Sequence, residues 1–157
     1  MSREDFNALI NVPAYTRTLK TLRKNYDFLP DGYSDIFIPC ETLEELYADK
    51  IISFINTEKY VRHRDIWDLH WIKQQGTTLN TGFVKNKISD YNITDFNKKL
   101  DALLRKLHSI IYGDDFRTQM SRFTSLDVQE RTLKNEKFYA YLTDELTNLL
   151  NDVKLSL

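Results

Sequence analysis

The segment from Pro39 to Ile72, PCETLEELYADKIISFINTEKYVRHRDIWDLHWI, decides how the chain folds and where its polar chemistry lies. Its first half repeats apolar residues every three or four positions, which is the period of an amphipathic helix. Thr42 stands three residues before Glu45, a capping-box pattern that predicts a helix starting at Thr42. The second half, RDIWDLHWI, predicts another helix, on which Asp65 and Asp68 share a face because residues three apart are neighbours on a helix surface.

Helical patterns continue on both sides of this segment. The chain has only three prolines and four glycines, a composition that favours helices throughout. The best strand pattern is the short β-branched and aromatic run near residues 35–38, and Gly76 is predicted to cap the helix that carries the two aspartates. We therefore expect a mainly α fold, a compact helical domain of about six to seven helices with one short strand near residues 35–38. Helices are predicted at residues 3–10, 14–28, 80–91, 95–112, 114–123 and 135–155, and the pattern at 125–134 is ambiguous.

No linker, repeat or low-complexity tract divides the 157 residues, and a hydrophobic content of 41% is enough for one core. We expect a single domain over 1–157. It comprises a helical N-terminal region with an edge strand (1–38), the motif helices (39–75) and a helical C-terminal bundle (76–157). A strand at 35–38 would invite pairing with another chain, a protein partner or a second copy. The alternative is that 35–38 packs on the helices as irregular extended chain.

Composition excludes several functional classes. The formal net charge is −1, so bulk charge gives no reason to expect tight nonspecific binding to nucleic acid. No apolar run approaches the ~18 residues that span a bilayer, and the start of the chain, MSREDFNALI, lacks the apolar core of a signal peptide. The single cysteine, Cys40, cannot form an internal disulfide. We therefore expect a cytoplasmic protein that does not enter the membrane.

Two motifs in the opening segment resemble those of the AbiEii-type nucleotidyltransferase toxins, which act in abortive-infection toxin–antitoxin systems and phage defence. The family's first motif is roughly K-L-x-A-L-x-x-R. Lys50 matches its lysine, and Thr57 stands where the family has arginine. The second motif, R-D-[LF]-[YW]-D-L, is matched by residues Arg64 to Leu69, RDIWDL. The two motifs occur in the family's order, so the resemblance rests on the pair.

The resemblance also implies a metal-binding motif that this sequence lacks. The family's catalytic centre begins with Gly-Gly or Gly-Ser and continues to Asp-x-Asp or Asp-x-Glu, whose carboxylates hold the magnesium that bridges the nucleotide phosphates. The chain contains no Gly-Gly, Gly-Ser or Asp-x-Asp. It therefore resembles the C-terminal, helical part of such a toxin, inactive alone. A partner chain would complete the active site, and magnesium and a nucleoside triphosphate would bind only to that completed site.

By the same resemblance, Lys50 would bind phosphate, and Asp65 or Asp68 would orient or deprotonate an acceptor hydroxyl. Arg62 and Arg64 would add positive charge at the rim of the site. No metal ligand set is expected from these residues. The competing interpretation is structural: Arg64 would pair with Asp68, and Lys50 with Glu45 or Asp49, to stabilise the helix surfaces.

The sequence leaves open whether the chain is an enzyme. The alternative to an incomplete nucleotidyltransferase is a non-catalytic protein-binding module, a regulator or antagonist in a bacterial or phage defence system. Its contact residues would be exposed aromatics, among them Trp67 and Trp71, with Tyr15, Tyr33 and Phe37. A nucleotide or a tRNA is a further candidate partner. An unrelated enzyme class is least favoured, because no P-loop and no Ser-His-Asp ordering occurs.

Overall fold

The computed structural model describes residues 41–57 and 60–157. Within these residues every regular element is a helix and no strand occurs, which confirms the mainly α prediction. The strand predicted near 35–38 and the helices predicted at 3–10 and 14–28 lie outside the described residues. The seven helices are α1 (Leu43–Asn56), α2 (His63–Gln74), α3 (Thr81–Asp90), α4 (Phe96–Ile111), α5 (Asp114–Ser121), α6 (Leu126–Arg131) and α7 (Glu136–Ser156).

Polar side chains cap the first turn of three of these helices. The Thr42 hydroxyl accepts a hydrogen bond of 3.2 Å from the backbone N–H of Glu45, so α1 begins where the capping box predicts. Asn80 caps α3 in the same way, and Asn135 caps α7. Helix α2 ends before Gly76, whose φ of +80° is a left-handed conformation that glycine adopts without steric cost.

Helix α1 packs against α2, α3 and α4, and α7 packs against α2, α3 and α4. Helix α5 packs against α2 and α4. The ambiguous stretch 125–134 contains the short helix α6, none of whose residues is buried. Thr42–Leu157 forms one compact unit, and the single-domain prediction for 1–157 stays a prediction. The largest of the fully buried side chains in the core are Ile51, Ile66, Leu69, Ile72, Leu100, Leu107, Ile111, Phe116, Met120, Leu133, Leu142 and Leu146.

The packing of α2 on α1 places the polar face of α2 against α1. Ile66, Leu69 and Ile72 are the buried stripe of α2, as their spacing predicts, and Asp65 lies beside that stripe. On α1, Ile51 and Ile52, which follow Lys50 in the chain, are buried in the core. Lys50 and the two aspartates therefore meet at the α1–α2 interface. None of the helices in the described parts of the chain is both long and apolar enough to cross a membrane.

Candidate functional site

Lys50 lies between the two aspartates of α2. Its Nζ atom donates hydrogen bonds of 2.6 Å to Asp68 Oδ2 and 3.3 Å to Asp65 Oδ1. The Lys50 and Asp68 side chains keep 25% and 26% of their surface exposed, whereas Asp65 keeps 1%. Solvent can therefore reach Lys50 and Asp68, whereas Asp65 lies in the core.

Asp65 is the hub of this cluster, because it also binds two groups besides Lys50. Its Oδ2 atom accepts a hydrogen bond of 2.9 Å from the Ser53 hydroxyl and lies 3.0 Å from Nε of Arg62. A buried carboxylate is tolerated only when it is paired and hydrogen-bonded, and here both oxygens are used. We call Lys50, Ser53, Arg62, Asp65 and Asp68 the lysine–aspartate cluster.

The charges of the cluster hold Lys50 in its protonated form. Burial lowers the pKa of Lys50, but the hydrogen bond and negative charge of Asp68, followed by those of Asp65, raise it more, so the net pKa lies above its usual value. An ammonium group has three N–H donors. Two of them point at the aspartates, and the third has no acceptor among the described residues. Lys50 therefore offers one directed, charged donor.

The structure brings together four of the five predicted site residues, Lys50, Arg62, Asp65 and Asp68, and does not add Arg64 to them. The guanidinium carbon of Arg64 lies 5.4 Å from the centre of the Phe123 ring, a cation–π arrangement. Helix α2 begins at His63, so Arg64 and Asp65 are successive helical residues and point in different directions.

The competing structural interpretation named the wrong partners. Lys50 pairs with Asp65 and Asp68 across two helices, and not with Glu45 or Asp49 on its own helix. Asp49 instead accepts from Lys87 at 2.6 Å and from the Tyr91 hydroxyl at 3.1 Å. The predicted Arg64 pair with Asp68 does not form.

Ser53 is the cluster residue that the sequence interpretation missed. Its spacing was the available signal, because residue 53 is three positions after Lys50 and so lies on the same face of α1.

An open pocket of about 400 Å³ lies beside the cluster. Ser53 and Arg62 belong to both the pocket and the cluster, so a ligand in the pocket would contact these two residues, whereas Lys50, Asp65 and Asp68 are not among the lining residues. The remaining lining is mostly polar, with Asn56 at the end of α1 accepting a hydrogen bond of 2.8 Å from Lys99. The pocket is lined by Asp49, Ile52, Ser53, Asn56, Thr57, Arg62 and Tyr91.

The cluster does not fit a magnesium ion. Magnesium takes carboxylate oxygens and water as ligands, and both oxygens of Asp65 are already bound to cationic or hydroxyl donors. No group of three or more His, Cys, Asp or Glu side chains that could hold a metal occurs among residues 41–57 and 60–157. His63 and His70 share no site: His63 lies near Phe116 of α5, and His70 binds Glu145 of α7.

A second polar cluster fixes α2 on its other side. The Nδ1 atom of His70 lies 2.6 Å from Glu145 Oε2, and the Tyr141 hydroxyl donates a hydrogen bond of 2.8 Å to Glu145 Oε1. Glu145 is nearly fully buried, and Lys73 lies 4.0 Å from it. This contact ties α2 to α7, so the helix that carries Asp65 and Asp68 is held from two directions.

Comparison with known protein families shows to which family the chain belongs. The family model described as the nucleotidyl transferase AbiEii toxin of type IV toxin–antitoxin systems matches residues 8–144, most of the chain. The chain belongs to the AbiEii family. No curated protein and no solved structure matches it. Lys50, Asp65 and Asp68, which meet at the α1–α2 interface, lie inside the matched range.

Proposed function

We propose that the lysine–aspartate cluster is the phosphate-binding half of an AbiEii-type nucleotidyltransferase site. Lys50 binds a phosphate oxygen of a nucleoside triphosphate, and the metal-binding residues come from another polypeptide. The isolated chain of 157 residues then binds nucleotide but does not transfer it. The observation that carries the proposal is the placement of one partly exposed, fully charged lysine between two aspartates beside an open pocket.

The different surroundings of Asp65 and Asp68 support different roles for the two aspartates. Asp65 is buried and its oxygens are occupied, so it positions Lys50 and Arg62. Asp68 is partly exposed, and only its Oδ2 atom has a protein partner among the described residues. The second oxygen of Asp68 can therefore accept a hydrogen bond from an acceptor hydroxyl and orient it for attack. Arg62 adds a second positive charge at the pocket wall.

Phosphoryl transfer also needs charge neutralisation on the triphosphate, which the family obtains from magnesium. The described residues do not provide that site, and the sequence lacks the motif that supplies it. A partner chain that carries a Gly-Ser or Gly-Gly turn followed by paired carboxylates would complete the centre. The acceptor, a tRNA or a protein, would be selected by the assembled complex.

Calorimetric titration of ATP, GTP, CTP and UTP, each with magnesium, into the purified chain tests the proposal. We expect at least one nucleotide to bind, and Lys50→Ala to abolish that binding. Lys134→Ala is the matched control, because Lys134 forms an ion pair with Glu130 on the surface and lies outside the cluster and its pocket. Circular dichroism of each variant establishes that its helices are intact.

The outcomes separate this proposal from its alternative. Absence of binding for all four nucleotides, or equal binding by wild type and Lys50→Ala, would overturn the phosphate-binding role. The protein-binding module would then be favoured. Trp71 is half exposed on α2, as such a contact surface requires, whereas Trp67 packs against Phe138 with ring centres 5.8 Å apart. Tyr15, Tyr33 and Phe37 lie outside the described residues.

A further inference from the structure

A second pocket, also about 400 Å³, lies where the start of α2 meets the end of α4 and the start of α5. It shares no residue with the lysine–aspartate cluster or with the pocket beside that cluster. Its volume falls in the range of about 300–1,000 Å³ that is typical of small-molecule sites. The lining residues are Tyr60, Val61, His63, Ser109, Ile110, Gly113, Asp115 and Gln119.

His63, in the wall of this pocket, has a buried ring nitrogen without a hydrogen-bond partner. The residue keeps only 7% of its surface exposed, and its Nδ1 is the one buried side-chain polar atom in residues 41–57 and 60–157 that has no hydrogen-bond partner. Buried polar atoms are almost always paired, by protein, water or ligand. Burial lowers the pKa of His63 more than the negative charge of Asp115 and a side-chain hydrogen bond with Gln119 raise it, so the ring is neutral at pH 7 and has one N–H donor and one acceptor nitrogen.

The start of α5 places complementary groups around the same space. Asp115 and Gln119 are four residues apart, so they lie on one face of α5 and both line the pocket. The N-cap of α5 is Gly113, which has no side chain to cover the first turn. A Cβ atom at this position would lie 3.0 Å from the backbone oxygen of Ser109, so a larger residue would require a small local shift of the backbone at the end of α4.

The lining selects a class of ligand. It contains one carboxylate, one amide and one neutral imidazole, and no lysine or arginine, so it does not favour a phosphate or another anion. A carboxylate accepts from an exocyclic amino group, and a carboxamide pairs with the donor–acceptor edge of an aminoheterocycle, as in base recognition. Val61 and Ile110 provide apolar walls, and the exposed Tyr60 ring at the rim is a surface on which a flat ring can stack.

We propose that this pocket binds a neutral planar heterocycle that carries an exocyclic amino group, of which adenine and cytosine are the simplest examples. Asp115 accepts from the amino group, and Gln119, whose side chain also bonds to His63, pairs with the adjacent ring edge. This site is separate from the phosphate-binding cluster and does not depend on the transfer chemistry proposed above.

Nuclear magnetic resonance of the histidine ring nitrogens tests the assignment in the intact chain. Adenosine and cytidine are titrated in parallel with inosine and uridine, which have a carbonyl in place of the amino group. We expect adenosine or cytidine to shift the His63 Nδ1 resonance while the rings of His70 and His108, which do not line the pocket, stay unchanged. The affinity of inosine and uridine should be lower by about tenfold, the effect of one lost hydrogen bond.

A pair of neighbouring variants provides the control. Asp115→Asn should weaken adenosine or cytidine binding by about tenfold, because the acceptor becomes an amide. Asp114→Asn should leave binding unchanged, since Asp114 lies beside Asp115 but does not line the pocket. A His63 resonance unmoved by all four nucleosides at millimolar concentration would overturn the proposal. Equal binding of adenosine and inosine, with equal binding of cytidine and uridine, or equal effects of the two variants would also overturn it.

Discussion

Ser53 donates a hydrogen bond of 2.9 Å to Asp65 Oδ2, and this contact links α1 to the buried carboxylate of α2. The same carboxylate binds Lys50 through its other oxygen. Ser53 and Lys50 lie three residues apart on α1, so one face of that helix approaches Asp65 with two donors. Ser53 thus helps to orient the carboxylate that binds Lys50.

Replacing Ser53 by alanine should therefore destabilise the fold and loosen Lys50. We expect Ser53→Ala to lower the free energy of unfolding by about 1.5 kcal/mol, because it removes a hydrogen bond to a charged acceptor. Urea denaturation measures the change. Ser121→Ala is the control, since the Ser121 hydroxyl bonds only to the Thr118 carbonyl of its own helix. An equal loss of unfolding free energy in Ser53→Ala and Ser121→Ala would show that the hydrogen bond from Ser53 to Asp65 adds no more stability than the bond that Ser121 makes within its own helix.

The two aspartates should differ in their effect on stability. Asp65 is buried with three donors around it, and Asp68 is partly exposed with one. We expect Asp65→Ala to cost about 3 kcal/mol, because it leaves Lys50, Arg62 and Ser53 without their acceptor, and Asp68→Ala to cost about 1 kcal/mol. Parallel urea titrations compare them. A cost for Asp68→Ala equal to or larger than that for Asp65→Ala would contradict the assignment of Asp65 as the hub.

Glu145 anchors α2 from the α7 side, and its removal should affect both helices. Both of its carboxylate oxygens accept, from His70 and Tyr141 respectively. We expect Glu145→Ala to lower the free energy of unfolding by about 2 to 4 kcal/mol, as a buried paired group does when it is deleted. The neighbouring variant Asp144→Ala, at an exposed position, should stay within about 0.5 kcal/mol of wild type. Similar costs for the two would show that the Glu145 contacts carry no net stability.

His63 makes stability depend on pH on the acid side of neutrality. Its folded-state pKa lies below the usual value near 6.5, so between these two pKa values the unfolded chain binds more protons than the folded one. This contribution to stability is fully present above pH 6.5 and is lost as the pH falls toward the folded-state pKa. We expect wild type to lose more stability than His63→Phe between pH 7.5 and pH 5.5. A steeper loss in His63→Phe, measured by urea titration at both values, would contradict this sign.

The sequence predicted much of this arrangement because its signals are local. Helix periodicity and the Thr42 cap predicted α1, and the three-residue spacing of Asp65 and Asp68 placed both on one face of α2. The partner of Lys50 could not be chosen this way. Glu45 and Asp49 are nearer in the chain, and only the crossing of α1 and α2 brings Asp65 and Asp68 closer in space.

Long-range contacts explain what the sequence could not give. His70 and Glu145 are 75 residues apart, so no spacing rule connects them, and their pairing follows from the packing of α2 on α7. Arg62 and Arg64 were equivalent in the sequence because both closely precede Asp65. The start of α2 at His63 separated them: Arg62 precedes the helix and reaches Asp65, whereas Arg64 is carried over to Phe123.

The phosphate-binding role of Lys50 can be measured directly by nuclear magnetic resonance of the lysine side-chain nitrogens, in a chain labelled with ¹⁵N-lysine, during titration with a nucleoside triphosphate and magnesium. We expect the Lys50 Nζ resonance to shift at saturating nucleotide, because its third N–H acquires a phosphate acceptor, while Lys134 Nζ on the surface does not move. A Lys50 resonance that stays in place with every nucleotide, or that moves no more than Lys134, would contradict the assignment of Lys50 as the phosphate ligand.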